Sequence, residues 1–325
     1  MAVETSDGAG PPTSGAAPGA VASLGRLLDL SLRPARRLTW FGPSWALLCG
    51  AVASGGLGLS KLAVLRLLVA FVLAEPILGG VYRVTVFGLA HARLPGRAAP
   101  GPLGAEGAET RLPRLPFTQP GSPSARLLAG LEALLARWAW PTWSLVRLSV
   151  LELGFLLLVA SALALLLGEQ VFAVTLASLA VALAQAWLWG RRGQESLGLL
   201  AVFDFSLPWL VGYFSFRTNL APGHWRALFA ALGLYSLIYL ACVGLRAGKP
   251  KGPGLIAIFT LQLVAAACLL AFGSPLLAVT VVLLLYGQAI LAPALIKTDN
   301  RSWYLTETQY YLMGSLLAAY LAVAT

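Results

Sequence analysis

Residues 75–84 read Glu75-Pro76-Ile77-Leu78-Gly79-Gly80-Val81-Tyr82-Arg83-Val84 (EPILGGVYRV), a glutamate, a proline, a glycine pair and an arginine inside an otherwise apolar run. The flanks decide what the run is. Residues 62–90 are long enough and apolar enough to cross a bilayer as one helix, which needs about 20 predominantly apolar residues. Several other stretches of the chain share this character. The 325 residues are 58% hydrophobic and only 11% charged, with a mean hydropathy of +0.79, whereas a soluble domain carries about 25% charge. The composition therefore predicts an all-α, polytopic membrane helix bundle.

Working outward from span 2 (62–90), the hydropathy predicts about nine transmembrane helices. Span 1 covers 39–59, span 3 142–167, span 4 170–189, span 5 196–215, span 6 225–245, span 7 254–272, span 8 275–296 and span 9 308–324. Gly168-Glu169 and Gly273-Ser274-Pro275 leave so little chain between spans 3 and 4, and between 7 and 8, that each pair must form an antiparallel hairpin. Residues 1–22, rich in Gly, Ala, Pro, Ser and Thr, lack the charged start and apolar core of a signal peptide and read as a disordered cytoplasmic tail. Residues 23–325 read as a single membrane domain. Within it, 23–38 and 125–138 are amphipathic and suit the membrane interface, and 91–124 form a long loop rich in Pro, Gly and Arg. RLPRLPFTQPGSPSARL (111–127) in that loop shows no pairing of nucleophile and base and reads as proline-restricted chain.

The net charge of +10 invites a nucleic-acid reading, but the cations are distributed as a membrane protein distributes them. With the N-terminus cytoplasmic, the inner loops hold Arg26, Arg33, Arg36, Arg37, Arg93, Arg97, Arg111, Arg114, Arg126, Arg191, Arg192, Arg246, Lys249, Lys251, Lys297 and Arg301; the outer loops hold Lys61, Arg217 and Arg226. This asymmetry predicts an inner N-terminus and, with an odd span count, an outer C-terminus. The expected partners of the basic loops are membrane lipids, not nucleic acid. The three cysteines, Cys49, Cys242 and Cys268, lie in apolar runs without ligand spacing, and the two histidines, His91 and His224, lie in different loops. No histidine or cysteine metal site is expected.

An ionisable residue inside a bilayer is costly and is a functional candidate by default. The spans contain Glu75, Arg83, Arg147, Glu152 and Asp204. Pro76 should kink span 2 beside Glu75, the glycines should admit a close neighbour, and Arg83 lies two turns further along on a roughly shared face. One reading is a polar cavity in which Arg83 binds an anion; the other is structural ion pairing, for example of Glu75 with Arg147. Arg147 and Glu152 are five residues apart and so need separate partners. Asp204 is expected to meet an arginine or hydroxyl groups. KTDNRSWYLTETQYY (297–311) reads as a solvated turn with Thr306-Glu307-Thr308 capping span 9.

The layout resembles the UbiA-type polyprenyl transferase superfamily. Arg33-Pro34 and Trp40 in SLRPARRLTWFGPSWALLCGA (31–51) match that family's entry into its first helix, and Arg191-Arg192 in AWLWGRRGQES (186–196) match its basic pair before span 5. The likeness is topological over 23–325. It implies an isoprenoid or quinone-type ligand in a cytoplasm-facing cavity, with Glu75, Arg83, Arg147, Glu152, Arg191, Arg192 and Asp204 as ligand-binding candidates. The family's aspartate-rich motifs, after span 2 and after span 6, hold magnesium on an allylic diphosphate. Here the corresponding strings, GGVYRVTVFGLAHARLPGR (79–97) and GLRAGKPKGPG (244–254), contain no acid, and the chain has only Asp7, Asp29, Asp204 and Asp299. Magnesium is therefore not expected at the family positions. Two functions of other kinds stay open: a non-catalytic structural or accessory subunit of a membrane complex, and a small-molecule transporter with helices broken at Pro76 and Pro208.

Overall fold

The computed structural model describes residues 41–58, 60–88, 143–217 and 225–324, with the backbone alone at 87–88, 143–149, 225 and 323–324. The tail, both amphipathic segments, the 91–124 loop and the two histidines lie outside the described residues. Everything described belongs to the unit Leu32–Thr325.

Among the described residues the secondary structure is helical throughout, with no strand. Helix α1 is Pro43–Ala53. Span 2 is one long rod made of α2 (Lys61–Val72), a π-turn (Leu73–Ile77), α3 (Leu78–Arg83) and a second π-turn (Val84–Gly88). Then come α4 (Trp143–Leu167) and α5 (Glu169–Arg192). Span 5 is α6 (Leu197–Ala201), a third π-turn (Val202–Ser206) and α7 (Leu207–Phe216). The chain closes with α8 (Trp225–Arg246), α9 (Lys251–Ala271), α10 (Pro275–Thr298) and α11 (Arg301–Ala324). Seven of these rods are long and apolar enough to cross a membrane. The expected span 1 is represented by α1, only 11 residues long, and span 9 by the 24 residues of α11.

The turns follow from their sequences. At the end of α9, Gly273 adopts φ 77 and Ser274 N–H reaches back to Leu269 O at 2.9 Å while Gly273 N–H bonds Leu270 O at 3.0 Å. This double bond satisfies the last carbonyls and needs the left-handed backbone that glycine adopts without strain. Pro275 then opens α10, completing the hairpin anticipated from the sequence. The α10–α11 turn corrects one expectation. Asn300 Oδ1 accepts from Trp303 N–H at 3.0 Å, so α11 starts at Arg301 and not near 308. Thr306 and Thr308 lie inside the helix and bond back to Ser302 O and Tyr304 O at 2.9 and 2.7 Å.

Two groups of buried side chains fill the bundle. One lies among α1, α7, α8, α9, α10 and α11 and includes Phe41, Phe205, Trp209, Tyr213, Tyr235, Tyr239 and Tyr320. The other lies among span 2, α4, α5 and span 5. The α1–α7 pair belongs to both, and it packs backbone to backbone. A Cβ at Gly50 would lie 2.0 Å from Trp209 O, and one at Gly212 2.0 Å from Leu47 O. Only glycine fits at either position, which is how small residues bring membrane helices together. At the far end of the pair, Arg217 Nη1 donates to Ser54 O at 3.2 Å.

Candidate functional site

Glu75 lies in the first π-turn of span 2. Its Oε1 accepts the backbone N–H of Ser44 at 3.2 Å and a very short bond from Ser44 Oγ. Ser44 is in the first turn of α1, whose N-cap, Gly42, has no side chain to satisfy the free N–H groups. Glu75 therefore supplies from another helix the acceptor that α1 lacks, and places a carboxylate at the positive end of the helix dipole. Pro76 is accommodated in the widened turn, whose i to i+5 register displaces the bond that proline cannot make. Of the glycine pair, Gly80 packs against α4, where a Cβ would come to 3.2 Å from Leu156 Cδ1, while Gly79 has nothing within 4 Å.

Arg83 ends α3 and is exposed, with Glu152 of α4 as an electrostatic neighbour. Arg147 is placed in the first turns of α4 by its backbone; its side chain lies outside the described residues. The pairing of Glu75 with Arg147 considered from the sequence therefore lies outside the described residues; the partner of Glu75 among them is Ser44.

Asp204 is the most deeply placed acid, 0% exposed within the third π-turn. Tyr239 OH of α8 donates to its Oδ2 at 3.2 Å. Its two chain neighbours anchor the turn on opposite sides. Phe205 forms a triangle of rings with Phe41 and Tyr239, all centroids 5.6–5.8 Å apart, and Phe203 meets Tyr82 of span 2 at 4.6 Å. Both interior carboxylates thus sit in π-turns, a backbone form frequent at functional sites.

Arg191 lies elsewhere. Its guanidinium covers the Trp187 ring at 3.9 Å on the exposed side of α5, and Arg192 beside it is exposed. This cation–π pair belongs to the interfacial rim. The structure therefore joins Arg83 with Glu152, joins Asp204 with Tyr239 and Tyr82's neighbour Phe203, and leaves Arg191 and Arg192 on the outer surface of α5.

Sequence reasoning missed several buried polar groups. Gln262 of α9 and Gln288 of α10, both fully buried, exchange two amide bonds at 2.9 and 3.0 Å. Tyr235 OH shares a hydrogen bond with Ser315 Oγ at 2.7 Å, Trp45 Nε1 of α1 donates to Met313 O of α11 at 3.1 Å, and Gln185 of α5 is fully buried. Isolated glutamines in apolar runs were the available signal, overshadowed by the charged residues.

Among the described residues no three His, Cys, Asp or Glu side chains come together. In the loop after α8, where the second aspartate motif would stand, the side chains are Arg246, Lys249 and Lys251. The carboxylate that reaches this loop, Asp299, is bonded to Lys251 at 2.8 Å and Arg301 at 3.2 Å.

No family model and no solved structure matches the chain. It is 26% identical over 311 residues, 89% of its own length and 88% of the other protein's, to the bacteriochlorophyll synthase 34 kDa chain of Chloroflexus aurantiacus. That protein belongs to the UbiA superfamily, and the likeness runs through nearly the whole of both chains, as a shared helical bundle requires. The match is consistent with the chain's resemblance to the UbiA-type polyprenyl transferase superfamily, from whose pattern it departs in having no aspartate at either motif position.

Proposed function

We propose that this protein binds an isoprenoid or quinone-type amphiphile, its tail among the helices and its head near the inner end of span 2, in a cytoplasm-facing site. The observation that carries the reading is the likeness, over almost the full length, to a membrane enzyme of the prenyl transferase family. The exposed Arg83 guanidinium at the inner end of span 2 supports the reading by offering a cation to a polar head, beside a span whose interior carboxylate lies in a π-turn. Arginine can hold a phosphate or carboxylate bidentately without a metal. Prenyl transfer bridged by magnesium is not part of the proposal, because cations occupy the loop where a metal-binding acid cluster would be needed.

The test is equilibrium binding of polyprenyl diphosphates and of quinones to the full chain in nanodiscs, with and without EDTA. Binding is expected to survive the chelator and to weaken about tenfold in Arg83→Ala, as loss of one charge-assisted contact predicts. An absence of binding, or binding indifferent to that substitution, defeats the reading.

A second reading, a non-catalytic accessory subunit, is favoured by one observation: Glu75 and Asp204 both make hydrogen bonds between helices, to Ser44 and Tyr239. Such a role requires a membrane partner. Mild purification that yields only an isolated monomer counts against it.

A further inference from the structure

The turns between α8 and α9 and between α10 and α11 are locked into one platform. Arg301 Nη1 donates to Leu245 O at 3.1 Å and Lys249 O at 2.9 Å, binding the first turn from the second. Lys251 reaches back to Asp299. Asp299 is the only acid between Gly244 and Thr306, and Lys251 and Arg301 already engage it. Three further cations border the platform: Arg246, Lys249 and Lys297. All are exposed, and none forms an ion pair among the described residues. The Lys249 stem lies back along α8, with its Cδ 3.4 Å from where a Cβ on Gly244 would be, so its ammonium is carried on a supported stem.

Immediately beside these charges the surface becomes apolar. Ile256, Ile296 and Trp303 are exposed on α9, α10 and α11. A polar–apolar border with a tryptophan is the level of lipid headgroups. An occupant of this border must carry negative charge at the end of apolar tails. We propose that the platform of Arg246, Lys249 and Lys297 is a docking site for the headgroup of an anionic phospholipid. A zwitterionic lipid offers the same phosphate with a compensating cation and binds less well. Each basic residue at such a surface contributes about a fivefold gain in affinity. The inference does not depend on the interior ligand, and Arg83→Ala leaves it untouched.

The experiment is native mass spectrometry of the purified full chain with phosphatidylglycerol or phosphatidylcholine added. Phosphatidylglycerol is expected to be retained preferentially. Its affinity should fall about fivefold in each of Arg246→Gln, Lys249→Gln and Lys297→Gln, and about a hundredfold in the triple variant. The melting temperature in phosphatidylcholine, expected to be unchanged, verifies that the variants fold. Lys61→Gln/Arg66→Gln at the other end of the bundle should leave retention unaltered. Equal retention by the triple variant overturns the proposal, as does an equal loss in the Lys61/Arg66 variant. Displacement of phosphatidylglycerol by inorganic diphosphate at comparable concentration would assign the platform to a free phosphate and overturn the lipid assignment.

Discussion

A single carboxylate in a membrane span is held in place by what it neutralises, and Glu75 neutralises the first turn of α1. Bonds to a charged acceptor contribute about 1.5–3 kcal/mol in water-soluble proteins, whereas hydrogen bonds between membrane helices contribute about 0.6 kcal/mol on average. Glu75→Ala should therefore lower the unfolding free energy by about 1–2 kcal/mol, and Glu75→Gln, which keeps an acceptor oxygen, by less; thermal unfolding in detergent measures both. Asp299 is a different case, exposed and outside the spans. Hydrogen bonds from Lys251 first and Arg301 second hold its carboxyl below the usual carboxylate range. A lowered folded-state value stabilises the turn at every pH above the ordinary value of about 3.9, and that contribution is lost as pH falls further. Hydrogen exchange at residues 297–303 should show protection at neutral pH that fades below about pH 4. Asp299→Asn, which tolerates the φ of 53° at this position, should lack that protection at neutral pH as well.

At the scale of elements, the α1–α7 crossing is the most demanding contact. The atoms a new Cβ would strike at 2.0 Å are backbone oxygens, Trp209 O from Gly50 and Leu47 O from Gly212, and neither can rotate aside. Gly50→Ala or Gly212→Ala should lose more than about 3 kcal/mol, read as loss of the monodisperse peak in size-exclusion chromatography. Gly79→Ala and Gly233→Ala, with nothing within 4 Å, should be neutral or slightly stabilising. The Gln262–Gln288 pair gives a cycle: either single change to leucine strands a buried amide, and the double variant should recover most of the loss of about 1–3 kcal/mol. Hydropathy made the helices and hairpins legible because period and length are local properties. It could not reveal the π-turns, nor the partners that Glu75 and Asp204 find on α1 and α8. It also misplaced the start of α11, because Asn300 is a better cap than the threonines that follow. Glu75, Arg83 and Asp204 were visible as charges; Ser44, Glu152 and Tyr239 could be assigned to them only once the helices were arranged in space.

At the scale of the whole molecule, the resemblance to the UbiA-type superfamily lies in the helical layout and not in the acids of its two motif positions, and the two make different demands on sequence. A helix pair tolerates any apolar side chain of suitable volume, whereas a magnesium centre needs its particular carboxylates. The orientation expected of the bundle rests on its distribution of charge. Arg191, Arg192, Arg246, Lys249, Lys251, Lys297 and Arg301 end or begin helices at one face, and Lys61, Arg217 and Arg226 do so at the other. The rule that basic loops stay cytoplasmic then predicts which face an impermeant reagent can reach. Two exposed positions report it: Gln194 follows α5 at the basic face, and Gln170 begins α5 at the opposite face. Of the native cysteines, Cys49 and Cys242 are buried and Cys268 is partly buried in the last turn of α9, at the face of Gln170, so the labelling is read in a Cys268→Ser background. With an impermeant maleimide on intact cells, Gln170→Cys should be labelled and Gln194→Cys should not, and lysis should expose the second. Labelling of Gln194→Cys before lysis would reverse the bundle, placing the lipid-docking platform and the proposed head-binding site of span 2 on the outer face.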